Sequence, residues 1–115
     1  MNNIENESNY KLMRVLVIFD MPVEKKEERR EYSRFRKFLI NEGYMMLQFS
    51  VYVKFCTNFS MVKKYILHLE LAKPKYGNVR AFTITENQFI NMKIICGEKN
   101  DREVVETEDF LTIID

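Results

Sequence analysis

The chain has 115 residues, 46% of them apolar, with nine Phe and six Tyr, which is the length of one domain and enough side-chain volume for a single packed core. Lys and Arg total 18 against 17 for Asp and Glu, so net charge identifies no partner, and any affinity for a polyanion has to come from local clustering. Cys56 and Cys96 have neither a CxxC spacing nor a neighbouring histidine pair, which argues against a zinc site and a disulfide framework and leaves both as expected buried, reduced thiols.

Residues 1–11 are rich in Asn and Glu, with no basic stretch leading into an apolar one. They read as a flexible N-terminal extension and not as a signal peptide. No run of about 18 apolar residues occurs, so no membrane partner is expected and a cytoplasmic protein is. The folded domain is expected over 12–97. Residues 12–19 are almost continuously apolar and rich in Val and Ile, the pattern of a strand buried on both faces, and Asp20-Met21-Pro22 ends it.

Charged residues fill 24–30, and from there Tyr32, Phe35, Phe38, Leu39 and Glu42 recur at the spacing of a helix of about four turns, ended by Gly43, its apolar stripe turned inward. Arg30, Arg34 and Lys37 then fall on another face as a basic ridge. Residues 44–55 are strand-like, with a break expected at Gln48-Phe49-Ser50 because one strand of that length is too long for so small a sheet. Asn58 or Ser60 caps a second helix carrying Val62, Tyr65, Ile66 and Leu69 inward, which stops at Lys73-Pro74. His68 reads as a surface residue of that helix. A turn at residues 75–78 leads into a strand over 79–85; a connection or helical turn at 86–89 and a short strand over 92–96 follow. Residues 98–115 form a C-terminal tail whose apolar end, 110–114, has to dock on a sheet edge of its own chain or of a second copy.

The resulting order, β-α-β-β-α-β with extra C-terminal strand, is ferredoxin-like and α+β. It implies an antiparallel sheet with both helices on one face, and a homodimer through the uncovered other face.

Three stretches resemble the CRISPR-associated Cas-two family. They are Met13-Arg14-Val15-Leu16-Val17-Ile18-Phe19-Asp20-Met21-Pro22, the helix from Arg29 through Phe38-Leu39 with Gly43-Tyr44 after it, and Gln48-Phe49-Ser50-Val51-Tyr52, which is similar to the family's Q-x-S-V-[FY] signature. Gly77-Asn78-Val79-Arg80, residues 83–89 and Gly97-Glu98-Lys99-Asn100 resemble the versions found in type II systems. The resemblance implies a homodimer that bridges dimers of the Cas-one integrase and holds double-stranded DNA during spacer acquisition in antiviral defense. It also implies a metal-dependent nuclease acting on RNA or DNA in some members, and an endoribonuclease or toxin-like ribonuclease acting alone is the alternative.

The resemblance makes Asp20 the expected metal contact, with Mg²⁺ or Mn²⁺ as cofactor shared across the two-fold axis, and Asp20 is the candidate catalytic residue. Read from the residues alone, Asp20 can equally cap the turn into Pro22. Arg29, Arg30, Arg34 and Lys37 are the expected nucleic-acid-binding residues, fixing phosphates without reading bases. The alternative for them is a solvated helix face with Glu27–Arg30 and Glu31–Arg34 ion pairs. Lys73, Lys75 and Arg80 form a second, weaker basic group.

Overall fold

The computed structural model describes residues 12–98. Within them the elements run β1 (Met13–Asp20), α1 (Lys26–Asn41), β2 (Met45–Gln48), β3 (Val51–Cys56), α2 (Phe59–Leu71), β4 (Asn78–Thr85) and α3 (Glu86–Ile90). The expected extension at 1–11 and the expected docking strand at 110–114 lie outside the described residues. Sheet order is β2-β3-β1-β4 with every neighbouring pair antiparallel, the ferredoxin-like α+β arrangement.

β1 is central because its side chains have something to bury on both faces. Met13, Val15, Val17 and Phe19 join the core beneath α1 and α2 together with Phe35, Leu39, Tyr52, Cys56, Val62 and Leu69. Phe35 and Leu39 are wholly buried, and each contributes roughly 1.5–3 kcal/mol by leaving water. The alternate residues Arg14, Leu16, Ile18 and Asp20 point to the second face.

Each helix is bounded by local chemistry. Glu27 and Glu28 sit in the first turn of α1, where the helix dipole favours negative charge, and Glu28 Oε1 accepts the Lys25 N–H at 2.8 Å. The helix ends at Gly43, whose φ of 94° suits a residue without a Cβ; the Gly43 and Tyr44 N–H groups return to the Ile40 and Leu39 carbonyls. Of the two candidate caps for α2, Asn58 is used, its Oδ1 accepting the Met61 N–H at 2.9 Å.

The second face differs from the expectation of an uncovered surface. α3 folds back over one end of it, where Phe89 joins Leu16, Met45 and Val53 in a small second core. Arg14 is fully buried there and bonds Glu86 through two nitrogens, Nε to Oε1 at 2.7 Å and Nη2 to Oε2 at 3.1 Å, between the rings of Phe55 and Phe89. The other end of that face remains open, with Ile18 and Phe82 exposed.

Two further expectations are corrected. Residues 92–96 form no strand: they run irregularly past Leu47 and Gln48, and Ile94 and Ile95 stay exposed. Strand preference cannot make a ladder where no partner edge is in register. For the same reason Cys96 is exposed and not buried, while Cys56 is buried as expected.

Candidate nucleic-acid and metal sites

Asp20 owes its position to its neighbours. Phe19 points inward and is clamped by three rings, lying edge-on to Tyr32 and Phe35 and stacked on Tyr52 with centroids 5.8 Å apart. Strand alternation therefore turns Asp20 outward on the opposite face. The β1–β3 register ends at Ile18 opposite Val51, but the Phe19 N–H still donates to the Ser50 carbonyl at 3.1 Å. Ser50 makes that contact from a left-handed conformation, φ 65°, which costs a residue with a side chain about 1–2 kcal/mol.

On the other flank Asn78 lies directly opposite Asp20. The turn before it approaches so closely that a Cβ on Gly77 would stand 2.5 Å from the Asp20 carbonyl oxygen and 2.9 Å from the Met21 Cα. Gly77, at φ 85°, is the residue type that permits this approach. The backbone of Asp20 is thus held on both sides while its carboxylate is exposed and forms no hydrogen bond or ion pair with any described residue. The capping role is not realised. Asp20 shares an open cavity of about 310 Å³ with Ile18, Phe19, Asn78 and Arg80.

A cation at this position would have little protein around it, since no group of three or more His, Cys, Asp or Glu side chains gathers anywhere among the described residues. That excludes a closed, all-protein cage of described residues. It suits Mg²⁺, which keeps several waters and commonly takes one or two carboxylates together with phosphate oxygens. The donor set of one free carboxylate per chain fits such an ion.

Along one face of α1, Lys26, Arg29, Arg30, Ser33, Arg34 and Lys37 line a shallow, open basic groove, while Arg36 instead donates its Nε to the Tyr52 hydroxyl at 3.0 Å. Their roles divide. Arg29 Nη1 donates to the Val23 and Glu24 carbonyls and fastens the loop entering the helix. Arg34 is held by Glu31 at 2.7 Å and also donates to the Ala72 and Lys73 carbonyls, tying α1 to the end of α2. Lys26, Arg30 and Lys37 are exposed and have no polar partner among the described residues. The Glu31–Arg34 pair forms as the spacing suggests; a Glu27–Arg30 pair does not.

Sequence reasoning overlooked Lys26, although its place four residues before Arg30 was the available signal. Gly77 and Asn78 read as a turn and as part of a stretch resembling type II versions, and neither reading shows their closeness to Asp20, which depends on the pairing of distant strands. His68 is half-buried, its Nδ1 2.5 Å from Glu42 Oε1 and its ring edge-on to Tyr65, so it joins the two helices instead of lying free on the surface. Burial pushes the Cys56 thiol up to about 11, which leaves it inert near neutral pH.

Fold and site together define a small ferredoxin-like protein with a carboxylate at the end of its first strand that no described residue engages and a basic groove along its first helix. The sequence pattern of the family described as CRISPR associated protein Cas2 matches residues 13–92. Proteins named CRISPR-associated endoribonuclease Cas2 are similar over most of the chain. The one from Campylobacter jejuni is 46% identical over 91% of this chain and 73% of its own length. Those from Ligilactobacillus salivarius and Treponema denticola are 45% and 41% identical, over 76% and 89% of this chain and 86% and 100% of theirs. The chain belongs to the Cas2 (Cas-two) family.

Proposed function

We propose that the chain is a dimeric scaffold of CRISPR adaptation, holding double-stranded DNA together with the Cas-one integrase in the cytoplasm. The observation that carries this reading is the α1 groove, in which Lys26, Arg30 and Lys37 have no polar partner among the described residues and are available to phosphates. Phosphate contacts of this kind position a duplex without reading its sequence, which is what a protein handling arbitrary DNA fragments requires. The open end of the second sheet face, with Ile18 and Phe82 exposed, supplies an apolar surface for the second copy. No helix among the described residues is long and apolar enough to cross a membrane.

The test is duplex binding by fluorescence anisotropy across a salt series, with sedimentation to establish the dimer and co-purification to establish the integrase contact. Replacing Lys26, Arg30 and Lys37 together by Ala is expected to weaken binding at low salt and to flatten the salt slope by about one unit for each phosphate no longer neutralised. An unchanged slope overturns the reading.

A second reading, a metal-dependent nuclease acting on RNA or DNA, is favoured by the free carboxylate of Asp20 and by the endoribonuclease name of the relatives. Asp20 from each of two copies would hold Mg²⁺ or Mn²⁺. When bound, such an ion offsets phosphate charge and acidifies its water. Cleavage by the chain alone that is lost with EDTA and with Asp20→Asn supports it; cleavage that survives both does not belong to this site.

A further inference from the structure

The cavity at the end of β1 holds more than a carboxylate. Register places Asn78 directly across from Asp20 and Arg80 across from Ile18, so Arg80 is the diagonal neighbour of Asp20 on the same face of the sheet. Diagonal neighbours lie about 7–8 Å apart, within reach of a long side chain. All three line one cavity, and Asp20, Asn78 and Arg80 are all exposed.

Asp20 and Arg80 nevertheless form no ion pair, and neither side chain has another polar partner among the described residues. Some acids and bases in the molecule do close on each other, as Glu31 does on Arg34 and Glu86 on Arg14, while others, as Glu27 and Arg30, do not. Here the opposite charges instead flank an open volume of about 310 Å³, at the lower end of the range for small-ligand sites. A lone carboxylate repels a phosphate. A carboxylate that holds a hydrated cation, next to a guanidinium with forked donors and a carboxamide, offers complementary groups to the two non-bridging oxygens of a phosphodiester.

We propose that Arg80 and Asn78 are the phosphate-binding half of the Asp20 site, with the Arg80 guanidinium on the non-bridging oxygens of a single-stranded phosphodiester and the Asn78 amide as the second donor. The proposal rests on the nuclease reading of that site. It adds a substrate contact on β4, remote in sequence from the strand that carries the acid. Gly77 is what makes the contact possible, because only a residue without a Cβ lets the start of β4 come against Asp20.

The probe is a short 2′-O-methyl RNA, which cannot be cleaved through its own 2′-hydroxyl, bound at a fixed Ca²⁺ concentration that keeps a cation on Asp20, across a salt series. Arg80→Ala is expected to weaken its binding about tenfold and to reduce the salt slope by about one unit per chain. Arg80→Lys restores the slope but only part of the affinity, since a point charge replaces a fork. Asn78→Ala gives a smaller loss with no change of slope. In parallel, Mn²⁺ broadening of the Asp20 amide resonance is expected to persist in Arg80→Ala and to vanish in Asp20→Asn.

A wild-type protein that binds no probe at any salt concentration overturns the nucleic-acid reading and this inference with it. Normal wild-type binding with an unchanged slope in Arg80→Ala overturns the assignment of Arg80 alone. Loss of Mn²⁺ broadening or of the wild-type melting temperature in Arg80→Ala also overturns it, because the residue would then act through the fold.

Discussion

The two ends of β1 carry opposite charges on the same face of the same strand and meet opposite fates. Arg14 is wholly buried, bonded twice to Glu86 and sandwiched between Phe55 and Phe89. Asp20 is exposed, with its backbone held on both flanks and its carboxylate left without a partner among the described residues. A buried charge has to be satisfied by the fold itself. A charge that the structure positions and leaves open remains available to something outside the chain. The first end is therefore expected to govern stability and the second to govern function, and substitutions can separate the two.

The largest effect is expected at the Arg14 end. Arg14→Ala or Glu86→Gln leaves a buried group without its counterpart and is expected to cost about 3–5 kcal/mol in urea unfolding. Replacing both, Arg14→Met with Glu86→Leu, removes the desolvated charges together and is expected to recover most of that loss. Equal losses in the single and double variants would mean that the ring sandwich, and not the ion pair, holds α3 to the sheet.

Next come the two backbone devices beside Asp20. Gly77→Ala places a Cβ against the Asp20 carbonyl, and Ser50→Val puts a β-branched residue at φ 65°; each is expected to cost about 1–3 kcal/mol. Ser50→Gly relieves the left-handed strain and is expected to cost little. Amide exchange at Phe19 provides the check: Ser50→Val is expected to speed it because the N–H no longer reaches the residue 50 carbonyl, while Ser50→Gly keeps it slow. If Ser50→Val leaves exchange unchanged, the contact does not hold the strand end.

These devices also mark how far the sequence could be read. The apolar run of β1 and the stripe of Phe35 and Leu39 follow from local periodicity, and the break expected at Gln48-Phe49-Ser50 follows from strand length and falls at Phe49-Ser50, with Gln48 still in β2. The Arg14–Glu86 pair was not legible, because it joins the first strand to a short helix far along the chain and depends on the sheet register. The closeness of Arg80 and Asn78 to Asp20 was hidden for the same reason. Residues 92–96 misled by composition: Ile94 and Ile95 favour a strand but find no edge to pair with. On α1 the charge pattern revealed the ridge but not the division of labour, since the carbonyls that engage Arg34 come from Ala72 and Lys73.

A smaller effect is expected from acid. The hydrogen bond from Arg34 holds the Glu31 carboxyl below its ordinary value of 4.5, and the Lys75 backbone N–H adds to this. A carboxyl with a lowered folded pKa contributes stability that is fully present above the unfolded value and lost as the pH falls through the folded one. The contribution is therefore complete above about pH 4.5 and disappears on further acidification. Because the pair is largely solvent-screened, Glu31→Gln is expected to cost about 0.5 kcal/mol at neutral pH. It is also expected to flatten the acid limb of the stability curve, and an unchanged limb would assign that limb to other carboxyls.

The smallest effect on stability, and the largest contrast with Arg14, is expected at Asp20. Its carboxylate bonds to no described residue, so Asp20→Asn removes no internal contact among them and is expected to change unfolding free energy by no more than about 0.5 kcal/mol. The same substitution removes the charge that would hold a divalent ion, so the stabilisation that added Mg²⁺ gives the wild type by mass action is expected to vanish in the variant. Melting curves with and without Mg²⁺ read both quantities in one experiment. A variant that melts well below the wild type in EDTA would show the carboxylate to be structural, and would erase the distinction between the two ends of the strand. A variant that matches the wild type in EDTA and falls behind it only when Mg²⁺ is present would place the metal at the open end, where the fold positions a charge and leaves it unused.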